Sequence, residues 1–337
     1  MSVTIHDVAR RAGVSPSTVS RVLNGTSPVR EDKRQLVLEA AEALDYTPHP
    51  AALSLLSKRT GGLGVLLPFV GGDFFAELLS GLDEAAQELG LFLTISTSHR
   101  RHDEFRRAIH ALDRRVDGLI VMAPDLDPGE AATILRTDTP VVFLNTDTQG
   151  LAADTFNFDN VGGMRALTRH LLDLGHERVA FVAGPAASDA AERLQGYRDV
   201  MREAGLDVRV VEGGYTRQAG FAAASALLAD GPLPSALVCA NDYCAFGAMS
   251  ALHQAGIDIP GEVAVGGFDG VASAQYAVPP LTTVRVPIRE IGDRAVRRLA
   301  ARLDGQVAAD ELVRTVVPVE LVARASTEGA RASRPAG

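Results

Sequence analysis

Apolar residues recur every three to four positions over residues 1–47, which predicts three short helices. The first begins at Thr4 and ends at Gly13, a residue type that readily adopts the positive φ of a helix end. The second has Pro16 in its first turn, where the missing N–H costs nothing, and the third starts near Arg30. This segment is therefore predicted to be a small all-α domain.

The second predicted helix carries small polar side chains on its exposed face. A short helix of this kind, preceded by another helix and a glycine-containing turn, is typical of a helix-turn-helix, whose second helix enters the DNA major groove. Small side chains permit close approach to the groove, and an arginine can contact phosphates and base edges. The spacing alone fits a plain three-helix bundle equally well. The residues of this face are Pro16, Ser17, Thr18, Ser20 and Arg21.

From residue 61 the pattern changes to apolar, β-rich runs that alternate with amphipathic helical stretches. The runs LGVLLP at 63–68 and SALVCAND at 235–242 lack polar alternation, which is typical of parallel strands covered on both faces. The same rhythm occurs twice. The predicted fold class is therefore α/β, with two doubly wound parallel lobes.

The pattern also predicts where each lobe begins and ends. The first lobe is expected to contain 61–157 and 285–310, and the second 158–284 and 311–325. Because the chain returns to both lobes, several segments should form a hinge between them. The polar tail 326–337 is predicted to be disordered.

Residues 48–60 separate the helical segment from the lobes. Two prolines, Pro48 and Pro50, flank a short apolar stripe that includes Leu55, and two basic residues close it. We expect residues 48–60 to be a linker that becomes ordered only in a particular context.

Composition excludes several classes of protein. The chain has 337 residues, 46% hydrophobic and 22% charged, which is ordinary for a globular protein. Neither a signal peptide nor an apolar run of about 18 residues is evident, so we expect a cytoplasmic protein with no membrane partner. Its two cysteines, Cys239 and Cys244, argue against a disulfide framework and are interpreted as core residues.

Charge is distributed unevenly along the chain. Residues 1–60 contain eight Lys or Arg and six Asp or Glu, a net charge of +2, whereas the whole chain carries −9. DNA responds to the local field of the face that it meets, so only the amino-terminal segment could offer a favourable field.

The sequence contains no GxGxxG, Walker, HExxH, GxSxG or CxxC motif. We therefore predict no catalytic residue, no cofactor and no metal site.

Polar residues follow several of the predicted strands, at the edge where parallel sheets bind ligands. Asn145, Asn241 and Asp269 are such residues, and the pair Gly266-Gly267 is expected to keep the approach to Asp269 open. Asparagine and aspartate are also good turn and helix-cap residues, so a purely structural role is an alternative.

Other side chains could complete a binding site. Arg193 could bind a carboxylate or paired hydroxyls, although an isolated arginine is more often a surface residue. Phe74, Phe75 and Tyr215 could offer flat faces to a sugar or ring, and the alternative for Phe75 is core packing.

Together these features resemble the LacI/GalR family of bacterial transcriptional regulators across nearly the whole chain. The resemblance is most specific at 4–25, where TIHDVARRAGVSPSTVSRVLNG is similar to the family's helix-turn-helix signature. It continues with VREDKRQLVLEAAEALDYTP at 29–48, ERLQGYRDVM at 192–201, ANDYCAFGAMSAL at 240–252 and PPLTTVRVP at 279–287.

The resemblance implies a DNA-binding face in which Pro16, Ser17 and Arg21 lie nearest the bases. It also matches Leu55 with the family's hinge-helix leucine, which wedges into the minor groove at the operator centre. The DNA-contacting residues implied are Thr4, Ser15, Pro16, Ser17, Thr18, Ser20, Arg21, Asn24 and Leu55.

The resemblance further implies a core similar to periplasmic sugar-binding proteins, with an effector between the lobes. Asn145 stands where the family frequently has Asp, and Val286 where Gln is common. The effector-binding residues implied are Phe74, Phe75, Asn145, Arg193, Tyr215, Asn241 and Asp269.

The function expected is that of a homodimeric repressor of double-stranded operator DNA, controlled by a small molecule such as a sugar. One alternative is a DNA-binding regulator whose core responds to a protein partner. Another is a cytoplasmic sugar-binding protein or enzyme that uses the same two-lobed core.

Overall fold

The computed structural model describes residues 3–24, 29–46, 59–113, 115–137, 139–148, 152–308 and 310–328. The chain divides into two compact units. One contains the residues up to Gly62 together with Arg115–Asp117, and the other contains the rest of the chain from Leu63. Leu55, most of the predicted linker and the tail beyond residue 328 lie outside the described residues.

The first unit contains the three predicted helices, α1 (Ile5–Ala12), α2 (Pro16–Asn24) and α3 (Glu31–Ala43). Thr4 is the N-cap of α1, and Gly13 ends it with a φ of 66°. The helices pack around a small core of Val8, Ala9, Ala12, Val19, Val37, Ala40 and Ala41. Leu36 on α3 is half exposed and lies outside this core.

The second unit consists of two α/β lobes. The strands of the first lobe are β1 (Gly62–Leu67), β2 (Phe92–Thr97), β3 (Gly118–Met122), β4 (Val141–Leu144), β5 (Asp154–Phe158) and β11 (Arg314–Val317). Its helices are α4 (Asp73–Glu88), α5 (His102–Leu112), α6 (Pro128–Ile134) and α11 (Ile288–Leu303).

The second lobe repeats this arrangement. Its strands are β6 (Val179–Val182), β7 (Arg209–Val211), β8 (Ala236–Cys239), β9 (Ala264–Asp269), β10 (Thr282–Arg285) and β12 (Glu320–Val322). Its helices are α7 (Asn160–Asp173), α8 (Ser188–Glu203), α9 (Arg217–Ala229), α10 (Asp242–Gln254) and the short 3₁₀ helix Ala272–Tyr276.

The strand order is β11-β5-β4-β3-β1-β2 in the first sheet and β12-β10-β9-β8-β6-β7 in the second. The ladders that join β1 to β3, β3 to β4, β4 to β5 and β5 to β11 are parallel, whereas β12 runs antiparallel to β10. The predicted boundary at 311 is wrong, because β11 pairs with β5 and therefore belongs to the first lobe.

The chain passes between the lobes at three places within the described residues, after β5, after β10 and after β11. Each crossover is only a few residues long. The predicted hinge of several segments is therefore present, and a ligand between the lobes would lie beside it.

Close helix contact explains part of the packing of the first lobe. A Cβ added to Gly81 of α4 would lie 2.0 Å from the carbonyl oxygen of Arg289 on α11. No larger residue fits at this distance, so glycine is what lets α4 and α11 lie together.

The prediction that the disordered tail starts at Ser326 is wrong for its first residues. Ser326 and Thr327 are fully buried, and the Ser326 hydroxyl donates to the carbonyl of Val265 at 2.6 Å. The chain therefore remains packed on the second lobe through these two residues.

Candidate ligand cleft and DNA-binding helices

A cavity of 480 Å³ lies between the two lobes. It is lined by residues at or after the carboxyl ends of strands of both sheets, where parallel sheets place ligands. All seven candidate residues from the sequence line it, namely Phe74, Phe75, Asn145, Arg193, Tyr215, Asn241 and Asp269.

Arg193 is not a surface residue, since it is only 2% exposed. Its Nε donates to the Asn160 side-chain oxygen at 2.9 Å, and its Nη1 donates to the Ala240 carbonyl at 2.7 Å. Its Cζ lies 3.9 Å from the centre of the Phe268 ring. Packing and hydrogen bonds therefore hold the guanidinium in one orientation at the cleft wall.

Two carboxylates balance this buried charge. Asp269 accepts from Arg193 Nη1 at 3.3 Å, and Asp189 lies 4.0 Å from Nη2. Burial raises the pKa of Asp269 to about 6 against the opposing effect of the Arg193 charge, and the neighbouring Asp189 carboxylate also raises it. Nε and Nη1 of Arg193 are thus occupied by protein groups.

Two of the cleft residues have unusual backbone conformations. Asn145 has a φ of 42° and Asp269 a φ of 113°, a region that L residues rarely adopt. Such strain is concentrated at sites where the surrounding structure imposes a geometry. Asparagine and aspartate adopt positive φ more readily than other L residues, so these conformations are also compatible with a turn role.

Aromatic rings supply the apolar walls of the cleft. Phe75 contacts Phe74 and Phe69 edge to face, with ring centres 5.4 and 4.7 Å apart. Phe75 is also part of the hydrophobic core, so the core-packing alternative is confirmed, and the residue lines the cleft as well. Tyr215 forms the facing wall, with the Arg193 guanidinium 5.6 Å from its ring centre.

Asn241 caps a helix, as the structural alternative predicted, and it also lies at the cleft. Its side chain caps α10 by accepting from the Cys244 N–H at 2.9 Å, and it also lines the cleft. The neighbouring Asp242 is structural, because it is buried and accepts from the Thr283 hydroxyl and the Val271 N–H.

The prediction that Gly266 and Gly267 keep the approach to Asp269 open is wrong. A Cβ at Gly266 would lie 2.7 Å from Leu167, and one at Gly267 would lie 2.3 Å from the Asp242 carboxylate. These glycines are required by packing within the second lobe.

The cleft also contains residues that the sequence did not single out. Most of them follow a strand or begin a helix at the same edge of the sheets, which is the signal that could have identified them. They include Phe69, Arg100, Asp189, Arg217 and Tyr243.

Hydrogen bonds join the lobes on two sides of the cleft. The Asp73 carboxylate at the start of α4 accepts from the Tyr243 hydroxyl and the Ser273 N–H, each at 3.2 Å. The Ser188 hydroxyl donates to the Pro124 carbonyl at 2.8 Å. These bonds therefore contribute to holding the lobes in this arrangement.

Helix α2 presents the predicted polar face. Ser15 Oγ accepts from the Thr18 N–H at 3.2 Å and caps the helix, while Ser15, Ser17 and Arg21 are exposed. Val19, on the opposite side, is fully buried. The face is therefore accessible to a partner. The side chain of Asn24, also predicted to contact DNA, is not among the side chains that the structure describes.

Thr4 is exposed at the start of α1. The Asp7 carboxylate accepts hydrogen bonds from its backbone N–H and its hydroxyl at 3.0 and 2.7 Å. These bonds lower the pKa of Asp7.

One group of side chains in the described part of the chain has the composition of a metal site. His102, Asp127 and Glu130 each place a possible ligand atom within 4.8 Å of the others. His102 and Asp127 are exposed, and Glu130 already lies 3.1 Å from His102 Nδ1. Hydrogen bonding to Glu130 raises the pKa of His102.

Among the residues that the structure describes, none of the helices is both long and apolar enough to span a membrane.

Cys239 and Cys244 are both buried and free, as expected for core residues.

Comparison with known proteins gives a family match for each of two parts of the chain. Residues 4–49 match the family of bacterial regulatory proteins of the lacI type, and residues 168–327 match a periplasmic binding protein-like domain. The chain is 34% identical over 306 residues to the HTH-type transcriptional repressor PurR of Photobacterium profundum, covering 89% of this chain and 92% of that protein.

The chain belongs to the LacI/GalR family of bacterial transcriptional regulators.

Other LacI/GalR family members agree with this assignment. The HTH-type transcriptional regulator GalR of Escherichia coli is 35% identical over 308 residues, 90% of each protein. The crystal structure of the lac repressor dimer bound to operator and the anti-inducer ONPF covers 97% of this chain and 99% of its own, with 31% identity and a TM-score of 0.88. This LacI-family chain is therefore a DNA-binding transcriptional regulator.

Because the pKa of Asp269 differs between the folded protein and the unfolded chain, the unfolding free energy of this LacI-family regulator depends on pH. Folding raises that pKa from 3.8 to about 6, so the folded protein binds more protons than the unfolded chain between these values. The stabilisation by the protonated carboxyl is present at low pH and is lost as the pH rises through about 6. We expect the unfolding free energy of the wild type to fall relative to that of Asp269→Asn as pH rises from about 4 to 7.

Urea unfolding of both proteins at several pH values measures this difference. Asp207→Asn, a change at an exposed position, is the control and should parallel the wild type. A constant difference between wild type and Asp269→Asn would contradict the raised pKa.

Proposed function

We propose that this regulator is a homodimeric repressor whose affinity for a near-palindromic operator is controlled by a small molecule bound between the core lobes. The effector is a sugar or a related metabolite. Because its target is bacterial DNA, the protein acts in the cytoplasm. The observation that carries the proposal is the interlobe cleft, which gathers the buried Arg193–Asp269 pair and aromatic walls beside the crossovers.

The DNA-binding half of the proposal rests on α2. Its exposed serines and Arg21 lie opposite a fully buried Val19, so they can approach a groove without disturbing the core of the domain. Arg21 can contact phosphates or donate to base edges, and Pro16 and Ser17 lie at the amino-terminal end that approaches the bases first. Leu55 remains a proposed minor-groove wedge, as the family resemblance implies.

The effector half rests on the chemistry of the cleft. A polyhydroxylated molecule needs fixed donors and acceptors, which the Arg193 guanidinium, the Asn241 amide and the Asp269 carboxylate provide. Its apolar face can lie against Phe74, Phe75 or Tyr215. The volume of 480 Å³ is within the range of small-molecule sites.

Exposed apolar surface on both lobes supports a dimer. In the first lobe, Phe92 and Ile95 lie on β2, at the edge of the sheet, and are 54% and 46% exposed. In the second lobe, Tyr276 and Val278 are 77% and 92% exposed. Apolar patches and free strand edges of this kind favour association, and a second copy of the chain would cover both.

Control of DNA binding requires that the effector favour one arrangement of the lobes. The three crossovers allow the lobes to change orientation, and a ligand that contacts both walls can select one orientation. Thr60 and Gly61 donate their N–H groups to Asp117, which directly precedes β3, at 2.6 and 2.8 Å.

Arg21→Ala tests the assigned recognition helix. If Arg21 contacts a base, its loss should weaken specific binding by about 1–3 kcal/mol. Binding to an operator selected from random duplexes can be measured by fluorescence anisotropy across a salt titration. Arg30→Ala, outside α2, is the control, and equal affinity of Arg21→Ala and wild type at every salt concentration would show that the wrong helix was assigned.

Arg193→Gln and Asp269→Asn test the effector site. Each change leaves a ligand group without its partner, at a cost of about 1–3 kcal/mol in effector affinity. We expect both variants to bind the operator as the wild type does and to lose their response to a compound that stabilises the wild type in a thermal-shift screen. Retained operator binding reports that the variants fold. An unchanged response in both would assign these residues a structural role alone.

Phe92→Asp tests the proposed dimer. A buried carboxylate without a partner disfavours association strongly, so the variant should sediment as a monomer where the wild type sediments as a dimer. Val316→Asp is a matched control, because Val316 is also exposed but lies on β11, at the opposite edge of the same sheet. Sedimentation of Phe92→Asp as a dimer would exclude β2 from the interface.

A further inference from the structure

The wall that the first lobe contributes to the cleft is almost entirely apolar. It consists mainly of proline, glycine, phenylalanine and methionine side chains. Asn145 is a neutral polar residue of this wall, and Arg100 is the only ionisable residue among the described lining residues of this lobe. A cation in such surroundings is a strong determinant of which ligand binds.

The backbone brings Arg100 to this position at a conformational cost. His99 and Arg100 follow β2 and have φ values of 47° and 56°, two successive residues in the left-handed region without a glycine. Residues other than glycine avoid this region. A turn of this kind at a cleft indicates that the direction of the side chain, and not the turn alone, is being maintained.

The Arg100 guanidinium reaches across the cleft with its hydrogen-bonding capacity incompletely used. Its Nε is buried and makes no hydrogen bond within the described structure, although it lies 3.5 Å from the Asp125 carboxylate. Its Cζ lies 5.7 Å from the centre of the Tyr215 ring, which belongs to the other lobe. The group is thus positioned beside the space where a ligand would contact both lobes.

The charge balance of the cleft also favours an anion. Three arginines line it, whereas Asp189 and Asp269 are its two carboxylates, and both of these lie within 4.0 Å of Arg193. Arg217 packs over the rings of Tyr243 and Phe246, at 4.9 and 5.5 Å, with no carboxylate in ion-pair distance among the described residues. The charge of Arg217 is therefore not matched by a carboxylate of the cleft lining, and that of Arg100 is matched only by Asp125, which lies outside this lining.

We propose that the effector is an acidic sugar derivative, whose carboxylate or phosphate group is bound by Arg100 while its hydroxyl groups are bound at Arg193 and Asp269. This inference rests on the proposed effector site and adds the chemical class of the ligand. Carboxylates and phosphates accept paired hydrogen bonds from a guanidinium, and in a cleft shielded from water such bonds are stronger than those of a neutral hydroxyl.

The test uses thermal unfolding of the full-length protein with matched compounds. D-Glucose and D-galactose are the neutral sugars, D-glucuronate and D-galacturonate carry a carboxylate, and D-glucose 6-phosphate and D-galactose 6-phosphate carry a phosphate. We expect at least one acidic compound to raise the melting temperature while its neutral counterpart does not. Whether the carboxylates or the phosphates act identifies the anionic group.

Arg100→Gln is the decisive variant. It should weaken binding of the active acidic compound at least tenfold and leave operator binding unchanged, which also reports that it folds. Arg101→Gln is the matched control, because Arg101 is the adjacent arginine in sequence but does not line the cleft. Arg101→Gln should bind the compound as the wild type does.

The possible results separate this inference from the proposed function. Stabilisation by neutral sugars alone overturns the acidic class and leaves the effector cleft in place. Undiminished binding of an acidic compound to Arg100→Gln, with loss in Arg193→Gln, overturns the role of Arg100 alone. If none of the six compounds stabilises the wild type, the acidic-sugar proposal is overturned, while the operator and dimer measurements still test the remaining function.

Discussion

The buried guanidinium of Arg193 is the constraint around which the ligand cleft is organised. A permanent charge with 2% exposure is tolerated only if neighbouring groups replace the water that it has lost. Asp269, Asn160 and the Ala240 carbonyl do so through hydrogen bonds. Those partners come from the ends of β8 and β9 and the start of α7, so one charge requires three elements of the second lobe to meet at one point.

The same requirement links the second lobe to the first. Asn160, which accepts from Arg193, also donates to the Asn145 side chain at 3.3 Å, and Asn145 belongs to the wall of the first lobe. Asn160 directly follows the crossover after β5. A ligand that changes the surroundings of Arg193 therefore acts on a hydrogen-bond network that extends to the hinge. This is a physical route by which occupancy of the cleft can change the arrangement of the lobes.

Direct contacts between the lobes set the conditions for such a switch. Asp73 bonds to Tyr243 and Ser273, and Ser188 bonds to Pro124, so protein groups alone already favour this arrangement of the lobes. A ligand can favour it only through additional contacts that bridge both walls. Arg100 and Arg193 are the charged groups that approach Tyr215 from the two lobes, which makes this part of the cleft the place where bridging has the largest effect.

Local sequence patterns determined the helices, the alternation of strands and helices and the residues at the strand ends. These features depend on short-range periodicity and capping, and on the rule that parallel strands end at one edge, so Asn241 and Asp269 could be assigned to that edge in advance. The family resemblance, and not a local pattern, assigned Arg193 to the same cleft. The sequence did not reveal that β11 joins the first sheet, that Ser326 is buried or that Gly267 is needed beside Asp242. Arg100 was not identified either, because its direction depends on two left-handed residues and on a ring from the other lobe. Contacts between residues far apart in the chain decide these features, and no local pattern records them.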